Sequence, residues 1–341
     1  MKKRLLAMLL AAAMCTGLAA CSSDTGTATT PEGGETAESG DGSYNIDVIL
    51  KTTASEYWQY VQAGAMAYQK DNPNVTVTVK GAPSETSYQE QLNMIQTDLA
   101  GDYDGFVIAP LQADMVANLI EGQTKPIVAV DTKIEAPEVI SFVGTGNESA
   151  GALGGAAAVE AAKAAGWTDI KAIEIAGVQG DTTNTDRMNG YMKGIEEAGG
   201  DFLEDEVQYA DAVATKAVDA MNGIMSRYPD GIAIICANND DMAIAAAKAA
   251  ADSGNEAYAN TIFLGFDGIQ SACDAILEGR LTMSVAQQGY EMGYMAVEAV
   301  VNNLNGEDVE EFIDSGADVV TADNAQKRKE TLQGYLDALE A

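Results

Sequence analysis

The chain has 341 residues, with 19 Lys plus Arg against 52 Asp plus Glu, a formal charge of −33, and no histidine. That length exceeds the usual ceiling for one hydrophobic core, so two lobes of about 150 residues each are expected, and the acidity leaves no basic field for a nucleic-acid partner. Without histidine, Ser-His-Asp and Cys-His hydrolases, HExxH metalloproteases and His-ligated metal sites are excluded; no metal site and no cofactor is expected.

Lys2, Lys3 and Arg4 precede an apolar run over residues 5–15, followed by small residues, the layout of a secretory leader over residues 1–20. Thr16 and Gly17 interrupt the run, leaving it short of the roughly 20 residues of a spanning helix. Leu18-Ala19-Ala20-Cys21 resembles the bacterial lipoprotein box, which implies that Cys21 becomes the acylated first residue; a cleaved soluble signal is the alternative. Residues 22–43 are almost wholly Ser, Thr, Gly, Ala, Pro, Asp and Glu and read as a disordered tether. Its root-mean-square reach as a flexible coil is roughly 25 Å. Contact with the membrane is then expected through the lipid alone. Cys15 leaves with the leader and Cys21 is modified, so Cys236 and Cys273 remain, both in apolar surroundings and expected as buried free thiols.

Downstream, short β-rich runs alternate with helical segments. Runs fall at residues 46–50, 75–79, 106–109, 127–130 and 140–143, then at 172–176, 207–209, 232–236, 262–266 and 283–286. Helices are predicted over 57–70, 88–99, 151–165, 185–198, 214–227, 241–252 and 290–304. A final segment, 324–341, spaces Leu332, Tyr335, Leu336 and Leu339 along one helical face and is expected to cover the second lobe. Strand, helix, strand repeated in this way gives parallel sheets covered on both faces, and ten strands suit two doubly wound sheets. The expected lobes are residues 44–146 with 288–312 and residues 147–287 with 313–341, in a monomer.

Polar side chains collect at the carboxyl ends of these runs, where open α/β sheets bind ligands. Lys51, Ser55, Tyr57 and Trp58 follow the first run, Asp131 the fourth, Asn147 the fifth, Asn238 and Asn239 the eighth, Asp267 the ninth, and Gln287 and Gln288 the tenth. Any one Asp or Asn there can be a helix cap; six such positions with paired aromatics point to a site. Carboxylates accept in pairs from vicinal hydroxyls, an Arg fork donates two bonds in a plane, and amides do both.

Residues 46–320 resemble the ribose-type periplasmic sugar-binding proteins, solute receptors of ABC importers. The segments that carry the likeness are Ser55-Glu56-Tyr57-Trp58, Val130-Asp131, Asp186-Arg187-Met188-Asn189-Gly190-Tyr191, Cys236-Ala237-Asn238-Asn239-Asp240, Leu264-Gly265-Phe266-Asp267-Gly268 and Val285-Ala286-Gln287. The resemblance implies the type I periplasmic binding protein fold: α/β, two doubly wound parallel-sheet lobes joined by a three-segment hinge near residues 145, 288 and 313. It implies no reaction, a monosaccharide or polyol ligand and an ABC permease as partner, with Ser55, Tyr57, Trp58, Asp131, Arg187, Asn239, Asp267 and Gln287 as ligand contacts. Where the family commonly has Arg after the fourth-strand Asp, Thr132 stands, and where an aromatic follows the sixth-strand position, Asp211 is followed by Ala212 and Val213. The ring contacts therefore differ from those of a ribose site.

Other readings compete. A sensory receptor for a membrane kinase or chemoreceptor would share the same body. Gly144-Thr145-Gly146-Asn147-Glu148-Ser149-Ala150 invites comparison with a dinucleotide fingerprint, but it ends in Ala and follows the fifth run, not the first. Lac-type repressors share the two-lobe core, yet here a leader stands where a helix-turn-helix would be.

Overall fold

The computed structural model describes residues 42–340; the leader, Cys21 and nearly all of the tether lie outside the described residues. The first half of the chain forms β1 (Tyr44–Leu50), α1 (Glu56–Asp71), β2 (Val75–Gly81), α2 (Tyr88–Leu99), β3 (Gly105–Ile108), α3 (Ala113–Leu119), β4 (Ile127–Val130), β5 (Val139–Gly144), α4 (Asn147–Ala164) and β6 (Lys171–Ala176). It continues with α5 (Thr182–Glu197), β7 (Asp201–Phe202), β8 (Gln208–Tyr209), α6 (Ala214–Arg227), β9 (Ile234–Ala237), α7 (Asp240–Asp252), β10 (Ile262–Asp267), α8 (Gln270–Leu277) and β11 (Met283–Gln287). Last come α9 (Gly289–Leu304), β12 (Phe312–Asp314), β13 (Ala317–Val320) and α10 (Ala325–Glu340).

The strands make two sheets, ordered β12-β5-β4-β3-β1-β2 and β13-β11-β10-β9-β6-β7, with β8 also paired to β6. All pairs are parallel except β13 on β11. The composition explains the layering. β3, β4 and β9 are buried at every position, as strands covered on both faces must be. β2, at an edge, begins with an alternation of Val and Thr, buried Val first. Each sheet repeats one winding order, so the reversal of winding lies between β1 and β3 in one lobe and between β6 and β9 in the other. The carboxyl ends at those reversals are where a doubly wound sheet leaves a crevice.

The chain crosses between lobes after β5, after β11 and after β12, the last at Ser315 and Gly316. Helix pairs cover the sheets at close range: α1 meets α9 through Gly64 and Gly293, and α4 meets α5 through Gly151, Gly155, Gly190 and Gly194. The thiols of Cys236 and Cys273 are free and buried.

Several elements differ from expectation. α4 begins at Asn147 instead of residue 151, and α5 starts early because Asp181 caps it, its carboxylate accepting Asn184 N–H at 2.9 Å. The pattern missed α3 and α8, of 7 and 8 residues, and the short strands β7, β12 and β13, which span too few periods to register. α10 covers more than the second lobe. Its Lys329 pairs with Asp274 of α8, while Tyr335 stacks on Tyr290 of α9, ring centroids 4.0 Å apart, and donates to Glu291 at 3.0 Å.

Candidate functional site

The carboxyl ends of the two sheets face one another across a cavity of about 440 Å³. Nine of the residues singled out in the sequence line it: Lys51, Ser55, Tyr57, Trp58, Asp131, Arg187, Asn239, Asp267 and Gln287. Asn147 does not. Because the chain crosses into the second lobe just before α4, Asn147 sits behind Arg187 and accepts its Nε at 2.9 Å. Its role is to hold the guanidinium.

Arg187 projects inward from α5 and is fixed on three sides. Nη1 donates to the Asn238 carbonyl at 2.8 Å and lies 3.8 Å from Asp267 Oδ1, while Cζ stands 3.9 Å from the centroid of the Phe266 ring. Asp267 Oδ1 accepts from Gln287 Nε2 at 2.7 Å. Burial pushes the Asp267 carboxyl well above its ordinary range, against the pull of Arg187.

From the first lobe, Tyr57 OH donates to Asp131 Oδ1 at 3.1 Å and Thr132 Oγ1 donates to Asp131 Oδ2 at 2.9 Å. Lys51 Nζ lies 3.4 Å from Asp131 and 3.5 Å from Asp181, one carboxylate in each lobe. Burial alone would lower the Lys51 pKa, but Asp181 and Asp131 outweigh it and hold the ammonium above its usual range. Burial alone would raise the Asp181 pKa, yet Lys51 and the Asn184 N–H bring it below the usual carboxylate range. Trp58 lies edge-on to Tyr57, ring centroids 5.1 Å apart, and its Nε1 donates to Glu85 at 2.9 Å. Thr132, where the family commonly has Arg, places its hydroxyl 2.8 Å from that of Thr183 across the lobes. These contacts draw the lobes shut over the cavity.

Backbone strain marks the same place. The non-glycine residues with positive φ among the described residues are Asp131 (65°), Asp211 (52°), Ala212 (57°) and Asp267 (121°), and all four line the cavity. Each such conformation costs on the order of 1–3 kcal/mol and persists only where neighbours over-determine it.

Sequence reasoning missed Glu85, Asp181, Thr183 and Asn184, all in the lining. Asp181 reads as an ordinary helix cap, which it also is. Asn239 is both as well: its Oδ1 accepts Met242 N–H at 2.9 Å, leaving the amide nitrogen for the cavity.

Behind the cavity, Glu174 of β6 is fully buried and neither carboxylate oxygen has a hydrogen-bond partner among the described residues. Burial pushes it up to about 8. The folded chain therefore keeps a proton that the unfolded chain releases near its ordinary pKa of 4.5, so this stability is present below that pH and is lost as pH rises through about 8. Glu174→Gln is expected to melt close to wild type at pH 5 and above it at pH 8. Equal melting-temperature differences at both pH values would contradict a neutral Glu174.

The residues, their order and the fold have known counterparts. A family model described as a periplasmic binding protein domain matches residues 46–308. The D-allose-binding periplasmic protein of Escherichia coli strain K12 is 29% identical over 265 residues, covering 75% of this chain and 83% of that protein. The ribose import binding protein of Bacillus subtilis strain 168 is 25% identical over 273 residues, 79% of this chain and 85% of the relative. Among solved structures, a carbohydrate transporter solute binding protein from Agrobacterium radiobacter, in complex with D-arabinose, superposes with a TM-score of 0.78 at 26% identity, covering 86% of this chain and 99% of the other. These counterparts are binding proteins of transport systems, not enzymes. A shared family model over most of the chain, two doubly wound lobes and polar residues at both strand ends agree: this chain belongs to the periplasmic binding protein family, in its ribose-type sugar-binding branch.

Proposed function

We propose that this chain is an extracytoplasmic lipoprotein receptor that closes over a monosaccharide or related polyol and delivers it to an ABC permease. In this reading the leader is removed, Cys21 is acylated, residues 22–43 tether a monomeric body to the membrane, and the crossings near residues 145, 288 and 313 act as the hinge. The observation that carries it is the cavity itself, where fixed donors and acceptors from both lobes surround a space beside Tyr57 and Trp58. Arg187 and Gln287 donate, Asp131 and Asp267 accept, and an aromatic face can cover the apolar C–H side of a sugar ring. The polar groups lining the cavity are paired with one another as donors and acceptors, an arrangement suited to ground-state binding. Binding to the closed form shifts the lobes toward it by the ligand's differential affinity.

The test is a thermal-shift and calorimetry panel of pentoses, hexoses and polyols. A true ligand at about 100 times its Kd adds about 2.7 kcal/mol of stability, and Asp267→Ala should abolish that shift. A panel without a hit, or a ligand whose affinity Asp267→Ala leaves unchanged, overturns the sugar reading. For the anchor, Cys21→Ser should move the protein from the membrane fraction to the soluble one.

A further inference from the structure

The turn that carries Asp267 into the cavity is held through four consecutive backbone N–H groups, and the two lobes share the task. From the second lobe, Ser284 Oγ accepts Gly268 N–H at 3.1 Å and Asp240 Oδ2 accepts Ile269 N–H at 3.0 Å. From the first lobe, Tyr60 OH accepts Gln270 N–H at 3.3 Å and Glu56 Oε1 accepts Ser271 N–H at 3.2 Å. Glu56 Oε1 also accepts a hydrogen bond from the Tyr60 hydroxyl at 2.7 Å, and Oε2 accepts from Ser271 Oγ at 2.8 Å. One carboxylate in the first turn of α1 thus reaches across the interlobe boundary to the free N–H groups that open α8, where a negative charge is favoured.

The turn needs such support. Asp267 has φ of 121° and Gly268 of 66°, two successive residues on the positive side, so the segment relaxes unless its surroundings hold it. With the lobes apart, Ser284 and Asp240 still grip the turn, but Gln270 and Ser271 lose their partners. We propose that Glu56, assisted by Tyr60, is a positioning residue that couples lobe closure to the seating of Asp267, so that closing the lobes completes the binding site. It acts through α8 and adds to the closed state whatever the ligand.

The consequence for affinity rests on the receptor reading above; the consequence for closure does not, and closure is tested without sugar. Thr132→Cys with Thr183→Cys, at positions whose hydroxyls lie 2.8 Å apart, forms a disulfide only in the closed state, so the trapping rate follows the closed population even where that population is small. The background is the full chain with Cys15 and Cys21 replaced by serine. Glu56→Ala is expected to slow trapping about tenfold, Ser271→Ala by less, and Glu56→Gln, which keeps one acceptor oxygen, to recover part of the rate. Circular dichroism checks that each variant is folded. Trapping at the wild-type rate in both Glu56→Ala and Ser271→Ala overturns the proposal. If the sugar panel is empty while Glu56→Ala still slows trapping, the receptor reading fails and the closure role stands.

Discussion

Arg187→Ala should be the most damaging single change to binding. Arg187 is 5% exposed and ties together Asn147, the Asn238 carbonyl and Asp267. Removing it deletes the guanidinium that lines the cavity and leaves a buried carboxyl without its counter-charge, a loss on the order of 3–5 kcal/mol in stability. Affinity for the ligand should fall by at least about 100-fold, as expected when charge-assisted bonds worth about 3 kcal/mol are lost. Arg187→Lys should recover little, because an ammonium cannot serve Asn147 and the Asn238 carbonyl in one plane while also reaching inward. Arg187→Ala with Asp267→Asn should melt higher than Arg187→Ala alone, since the amide is neutral without having to take up a proton. Calorimetry and thermal melting read all three, and an Arg187→Ala affinity within threefold of wild type would show that the guanidinium does not face the ligand.

Gly64→Ala should produce a large loss of stability through packing alone. A Cβ at Gly64 would stand 1.8 Å from the Tyr290 carbonyl oxygen, and one at Gly293 would stand 1.9 Å from that of Val61. Both obstacles are backbone, so no rotamer change relieves them and α1 must move away from α9. Overpacking of this kind costs about 3 kcal/mol, a fall of about 5 °C for a body of this size. The shift matters for the site because α1 carries Glu56, Tyr57 and Trp58, and α9 starts at the second crossing. Gly223→Ala is the matched control: Gly223 is exposed on α6 with nothing within 4 Å of the added carbon. It should gain about 0.5–1 kcal/mol from helix propensity. A Gly64→Ala protein that melts like wild type would contradict the close approach of α1 and α9.

Much of this arrangement was legible in the residues. Strands buried on both faces, such as β4 and β9, announce themselves as unbroken apolar runs, and the polar residue after each run marks the carboxyl end that faces the cavity. Asp131 and Asp267 were found that way and by family resemblance, Arg187 by the resemblance alone, and the structure brings all three to one cavity. What stayed hidden depends on three-dimensional context. Asn147 follows a strand end like the others, but the crossing turns it behind Arg187. Asp181 looks like a cap because it is one, and only the approach of Lys51 from the other lobe reveals its second role. The strained backbone at Asp211 and Ala212 leaves no trace in composition, since neither residue type requires a positive φ. The same holds for the edge strand β12, whose three residues join the first sheet only after the chain has left that lobe and returned.

That late return governs the order in which the molecule can be assembled. The first lobe lacks α9 and its sixth strand until residue 314 of 341 has been synthesised, so a ribosome-bound fragment ending anywhere before α9 holds an uncovered sheet. Pairs such as Phe142 with Phe312 link residues far apart in sequence, the kind of contact that slows folding. Neither lobe has all of its strands until the chain is nearly complete, and neither can be obtained by cutting the gene at a single point.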